Sequence, residues 1–143
     1  MTKYLLDTNV ISELQKDTNC NQNVKNFIDN ISFKDNFISV VSVNELWYGI
    51  NKIKENNKEK YNKLNSWFNN FKILYKNNIV LLDFDIAIVW AEIRVKTKQK
   101  TIDIMDAMIG ATALTHNLTL LTRNVKDFIG IEGLKIINPW DIN

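Results

Sequence analysis

The sequence predicts an α/β domain with a mainly parallel sheet, and three observations predict it. Short apolar runs of strand length alternate with segments whose apolar residues recur at three-to-four spacing. No hairpin dipeptide joins neighbouring runs, so the strands must return through crossovers rather than tight turns. The 143 residues suit one domain spanning 1–143, long enough for a substantial core and short for two.

Lys3-Tyr-Leu-Leu6 reads as a buried first strand, and Val10, Ile11 and Leu14 fall at helical spacing directly after Thr8-Asn9. A second helix covers Val24 to Ile31. Phe37 to Val41 is the second strand, and Ser42 with Glu45 opens a helix carrying Leu46, Trp47 and Ile50. From Lys58 to Tyr75, the residues Tyr61, Leu64, Trp67, Phe68, Phe71 and Tyr75 make one strongly amphipathic helix. Ile79-Val-Leu-Leu82 is the third strand. Ile86 to Lys98 is helical, with Asp85 as its N-cap. Ile104 to His116 is a helix rich in Ala107, Gly110, Ala111 and Ala113, small residues that let it lie close against a sheet. Leu118 to Leu121 and Lys135 to Ile137 supply the last two strands.

Composition excludes several kinds of chemistry. One histidine, His116, supplies neither a His-rich zinc site nor paired imidazoles, and no nucleophile-elbow glycines accompany it. Four scattered glycines form no phosphate-cradling loop, which removes Walker-type and dinucleotide sites. A lone cysteine, Cys20, has no partner for an internal disulfide, so a reducing cytoplasm is the expected compartment. The start of the chain lacks a signal-peptide layout, and no apolar run is long enough to span a membrane. A net charge of +2 does not by itself mark a nucleic-acid binder. The lysines of residues 52–60 are interleaved with glutamates, as on a solvated helix face. The run from Arg94 to Lys100 contains no acid and is the better candidate for touching phosphates.

What remains in suitable places is carboxylate. Asp7, Glu45 and Asp106 each stand where an apolar run or loop gives way to a helix. Each also has a purely structural use. Asp7 and Asp103 can cap helices, Asp106 suits a first helical turn, and Ser42-x-x-Glu45 is a capping-box pattern. In a parallel sheet, however, all strand-to-helix junctions fall on one edge, so Asp7, Glu45 and Asp106 can converge from distant positions. Gathered carboxylates repel unless a cation holds them ionised, and an all-oxygen site suits magnesium or manganese. A hydrolytic metal nuclease follows as the expectation. Asp83, Asp85 and Asp127 stay open as further acids of this kind. A non-catalytic interaction domain with acidic helix caps is the bland alternative.

Five segments in order sharpen the choice: Tyr4-Leu-Leu-Asp7-Thr-Asn-Val-Ile-Ser-Glu-Leu14, Ser42-Val-Asn-Glu45-Leu-Trp-Tyr-Gly49, Ile104-Met-Asp106-Ala-Met-Ile-Gly-Ala-Thr-Ala-Leu114, Leu120-Leu-Thr-Arg-Asn124-Val-Lys-Asp-Phe128 and Ile137-Asn-Pro-Trp140. Together they resemble the PIN-domain proteins of the VapC toxin family, over nearly the whole chain. The resemblance implies a three-layer α/β/α sandwich and a magnesium-dependent endoribonuclease serving as the toxin of a type II toxin–antitoxin pair. It matches Asp7, Glu45 and Asp106 to the metal-binding acids and Asn124 to a fourth position that is often acidic. Thr8, Asn9 and Thr122 fall where residues orient those acids, and Arg123 where the scissile phosphate would lie. The implied partners are an RNA substrate, a VapB-type antitoxin and a second copy of the chain, with part of the aromatic stripe from Tyr61 to Tyr75 as docking surface. A FitB-like role, as partner in a DNA-binding regulatory complex, is the second reading.

Overall fold

The computed structural model describes residues 1–97 and 102–142. The strands are β1 (Tyr4–Leu6), β2 (Asn36–Ser39), β3 (Ile79–Val80), β4 (Thr119–Leu121) and β5 (Ile136–Ile137). The helices are α1 (Thr8–Leu14), α2 (Gln22–Asp29), α3 (Val40–Lys52), α4 (Lys58–Leu74), α5 (Phe84–Lys96), α6 (Ile104–Thr115) and the single turn α7 (Val125–Phe128).

All five strands are parallel, in the order β3-β2-β1-β4-β5. β1 is therefore central, with Leu5 beside Phe37 of β2 and Leu120 of β4. Because successive strand side chains point to opposite faces, the Leu5-Leu6 pair feeds two separate cores. Leu5 and Leu120 join Ile86, Ile93, Ile109 and Phe128 beneath α5, α6 and α7. Leu6 and Leu121 join Val10, Ile11, Val24, Leu46, Phe68 and Phe71 beneath α1 to α4. The result is the three-layer sandwich expected, and the continuous apolar runs of the strands are explained by burial on both faces.

The small residues of α6 act as expected. A Cβ added to Gly110 would land 2.5 Å from Ile131 Cδ1, the tip of a flexible side chain, so a larger residue there would push that tip aside where α6 meets the segment after α7. The aromatic stripe of α4 is mostly core: Phe68, Phe71 and Tyr75 are buried and packed ring to ring, while Tyr61 and Trp67 stay partly exposed.

Several boundaries differ from the sequence expectation. α3 starts at Val40, with Ser39 Oγ accepting from the Val41 N–H at 3.1 Å. Val40 and Val41 are thus helical, and Ser42 is buried one turn further on instead of capping. Glu45 belongs to the second helical turn, so the capping box does not form. Asp83, not Asp85, caps α5, accepting from the Ile86 N–H at 3.0 Å. β3 ends at Val80, leaving Leu81 and Leu82 exposed beyond the last sheet pairing. α2 begins two residues early because Asn21 accepts from the Asn23 and Val24 N–H groups. In the basic run, Arg94 lies over the Trp90 ring, while Lys98 and Lys100 lie outside the described residues.

Candidate active site

Parallel pairing places the start of α1, the first two turns of α3, the start of α6 and the loop after β4 on the carboxyl edge of the sheet. Asp7 leaves β1 in extended conformation, its N–H still bonded to Leu121 O at 2.9 Å, so its side chain is aimed by the sheet itself. Its Oδ1 accepts from the Thr8 N–H at 2.8 Å and caps α1. Its Oδ2 accepts from Thr122 Oγ1 at 2.7 Å and Asn9 Nδ2 at 3.1 Å. Thr122 Oγ1 in turn accepts from the Asn124 N–H at 3.0 Å, and Asn9 Oδ1 from the Arg123 N–H at 3.1 Å. One short polar network thus ties the ends of β1 and β4 together.

Glu45 reaches the same place from α3. Thr8 Oγ1 donates to Glu45 Oε1 at 2.8 Å and lies 3.0 Å from Ser42 Oγ, which accounts for the burial of that serine. Asp106 rides the first turn of α6, whose N-terminus Asp103 caps by accepting from the Met105 and Asp106 N–H groups. Asp7, Glu45, Asp106 and Asn124 line one open cavity of about 420 Å³, with Arg123 and Lys16 in its wall. Asp127 does not line it, yet its charge raises the pKa of both Asp7 and Asp106. Asp83 and Asp85 face elsewhere: neither lines the cavity.

Four lining residues were not assigned a role from the sequence: Ser12, Glu13, Lys16 and Trp140. Glu13 is buried and held by Lys16 Nζ and the Asn21 N–H, both at 2.7 Å, and the Lys16 hydrogen bond keeps its carboxyl below the ordinary range. Trp140 carries Arg123 over its ring at 5.3 Å, which holds the guanidinium beside the acids. In the sequence, Glu13 is marked only as part of the Tyr4–Leu14 segment that carries the family resemblance. Trp140 comes from the far end of the chain, and no local pattern places it here.

The electrostatics are those of a site short of positive charge. Burial pushes the Asp7 carboxyl up, against the pull of its Thr122, Thr8 and Asn9 hydrogen bonds. Glu45 is raised by burial and by Asp7 and Asp103, with its Thr8 hydrogen bond opposing. Asp106 is pushed up to about 7, by burial first and then by Asp7, Asp103, Asp127 and Glu45. Carboxylates that raise one another while offering only oxygen donors fit a hard divalent cation. Among the described residues, no three acidic, histidine or cysteine side chains stand close enough together to hold one ion between them. Magnesium does not require three, because it keeps several waters and takes one or two carboxylates directly.

Two expected results follow from this geometry. Thr122→Val keeps the volume of a fully buried residue but removes the hydroxyl that holds Asp7. Metal affinity should fall roughly 10- to 100-fold, the usual effect of losing a ligand's supporting hydrogen bond. Calorimetric metal titration checks it, and wild-type affinity would refute it. The second concerns the metal-free fold. All three carboxyls have folded pKa values above their unfolded ones, so their contribution favours the fold at low pH. That contribution is lost as pH rises from about 4, the unfolded range, through the Asp106 value of about 7. Partial exposure of Asp106 screens the effect and keeps it modest. Melting temperature in chelator should drift down between these limits, and Asp106→Asn should flatten the drift.

The chain matches the family model described as PIN domain over residues 4–132. It is 34% identical over 139 residues to Toxin FitB of Neisseria gonorrhoeae, covering 95% of this chain and 97% of that protein. It is 36% identical over 105 residues to Ribonuclease VapC1 of Rickettsia felis, covering 71% of this chain and 74% of that one. Among solved structures, FitAB bound to a DNA fragment superposes with a TM-score of 0.85 at 30% identity, covering 98% of this chain and 97% of that one.

Proposed function

From the premise that the chain belongs to the PIN-domain family, we propose that it is a magnesium-dependent endoribonuclease and the toxin of a type II toxin–antitoxin pair. The observation that carries this reading is the meeting of Asp7, Glu45 and Asp106 in one cavity whose four carboxylates, Glu13 included, outnumber its two basic side chains, Lys16 and Arg123. Asp7, Glu45 and Asp106 would hold the ion, with Asn124 contributing its amide oxygen. When bound, a divalent ion lowers the pKa of water and neutralises charge on a phosphodiester. Thr8 fixes the Glu45 carboxylate, and Thr122 with Asn9 fixes Asp7, so both are held at the cavity they line. Arg123, steadied by Trp140, is placed to meet the phosphate. The single domain acts in the cytoplasm; among the described residues, no helix is long and apolar enough to cross a membrane. A VapB-type antitoxin is its inhibitor, and a homodimer its working form. The apolar groove of about 550 Å³ between α1 and the end of α4, with Ile73 and Leu74 exposed on its rim, is the surface offered for partners.

The test is the purified chain, freed of any partner, with labelled single-stranded RNA and magnesium. Cleavage that the carboxylate variants lack supports the reading, and inert RNA overturns it. The FitB relative, which spans nearly the whole chain, and the DNA-bound FitAB structure favour a second reading. In that reading the chain acts mainly within a DNA-binding regulatory complex. Promoter binding that persists in Asp106→Asn, with no RNA cleavage by wild type, would select it.

Asn124 sets the number of ions. An uncharged amide at this position leaves one ion held firmly and a second weakly. Asn124→Asp adds a charge beside Asp7 and Asp106, so metal affinity should rise, most visibly for manganese. Calorimetric titration reads it. Unchanged affinity would mean that the Asn124 side chain points away from the site, and Asp127, whose charge reaches Asp7 and Asp106, would become the better candidate.

A further inference from the structure

A second cleft, of about 220 Å³, adjoins the acidic cavity and shares Thr8, Ser12 and Glu45 with it as a common wall. Its character is different. Gln15 and Lys60 supply polar ends, Leu64 and Trp67 supply an apolar side, and Gly49 forms part of the floor. Trp67 is stacked on Phe71 at 5.3 Å and 25°, so its ring is fixed while staying half exposed. A Cβ on Gly49 would meet nothing within 4 Å, so packing does not require glycine there and the space belongs to the cleft.

We infer that this cleft receives one unpaired nucleobase of the RNA next to the bond being cut, an inference that rests on the nuclease reading of the neighbouring cavity. Electrostatics sorts the parts of a nucleotide between the two spaces. Phosphates are drawn to Arg123 and Lys16, which belong to the acidic cavity alone. Past Glu45 the lining holds no arginine and one lysine, and its aromatic and aliphatic side suits a flat, neutral ring. Single-stranded RNA is read in this way, by stacking a splayed base on an aromatic side chain and bonding its edge to amides and hydroxyls. Gln15 carries both a donor and an acceptor for that edge. A base held here excludes a continuous duplex from the cavity, so the substrate is a loop or an unpaired strand.

The experiment compares intact oligoribonucleotides with ones carrying an abasic residue on either side of the cleaved bond. Gly49→Leu fills the cleft from a helix interior, where leucine is favoured over glycine, so the fold is kept. Trp67→Ala removes the stacking surface. Loss of one stacked base is expected to weaken cleavage roughly five- to 150-fold. One abasic position should therefore slow the wild type by that factor. Both variants should cut intact RNA at the slowed rate and show no added loss on the abasic RNA. Fluorescence anisotropy of the same RNAs on Asp106→Asn reads the base independently of cleavage. Base-dependent binding without cleavage by wild type would end the nuclease reading and keep the subsite. Cleavage indifferent to abasic residues, or to Gly49→Leu, overturns the subsite. Loss of antitoxin retention in Gly49→Leu with RNA cleavage unchanged would also overturn it, assigning the cleft to the protein partner.

Discussion

Asp106→Ala is expected to lower RNA cleavage by roughly a thousandfold, and Asp7→Ala and Glu45→Ala to do the same. Each removes a carboxylate from a cavity that already lines up all three. A bound divalent ion contributes several kcal/mol of charge stabilisation, and about 1.4 kcal/mol corresponds to each decade of rate. The variants differ in what else they disturb. Asp106 gives up only a repelled charge, so its metal-free fold should be slightly firmer. Asp7 also caps α1 and takes hydrogen bonds from Thr122 and Asn9, so Asp7→Ala loses about 1 kcal/mol of capping. Asp7→Asn separates the two effects. Asp85→Ala is the control, since Asp85 is exposed on α5 and outside the cavity. Cleavage rates with circular dichroism check the set. Near wild-type cleavage by any of the three at ordinary magnesium concentration would remove that residue from the site.

Chelation is the second large effect. EDTA should stop cleavage completely and reversibly, magnesium and manganese should restore it, and calcium should bind without restoring it. The carboxyls here are raised first by burial and then by neighbouring acids, so without a cation Asp106 carries a proton through much of the range up to about 7. Calcium satisfies the charge, but its longer bonds and loose geometry place water poorly. Activity rates across metal titrations decide the matter, and full activity after exhaustive chelation would end the metal reading.

The fold was legible because its signals are local. The Leu5-Leu6 run, the three-to-four spacing of α4 and the small residues of α6 each declare their element within a dozen positions. Errors came where two residues competed for one local role. Ser39 and Ser42 both stand before the helix-spaced Leu46 and Ile50, and only Ser39 sits at the last sheet pairing. Asp83 and Asp85 compete likewise, and the early end of β3 hands the cap to Asp83. The acids themselves were visible as junction residues, and the family resemblance chose among them. Periodicity could not have shown that Thr8 reaches Glu45 or that Thr122 reaches Asp7, 37 and 115 positions away. Trp140 under Arg123 was illegible for the same reason.

The central place of β1 has a consequence for the newborn chain. Its neighbour β4 is separated from it by more than a hundred residues, and Asp7 takes its aim from Leu121 and Thr122 on that neighbour. A growing polypeptide, extended at about 5–20 residues per second, therefore carries Asp7 and Glu45 for several seconds without the Leu121 and Thr122 bonds that aim Asp7. Until Thr119–Thr122 is made and zipped beside β1, the ribosome works next to an unassembled blade. Strand order alone delays assembly of the acidic cavity until β4 has been made, whatever else of the chain is already folded.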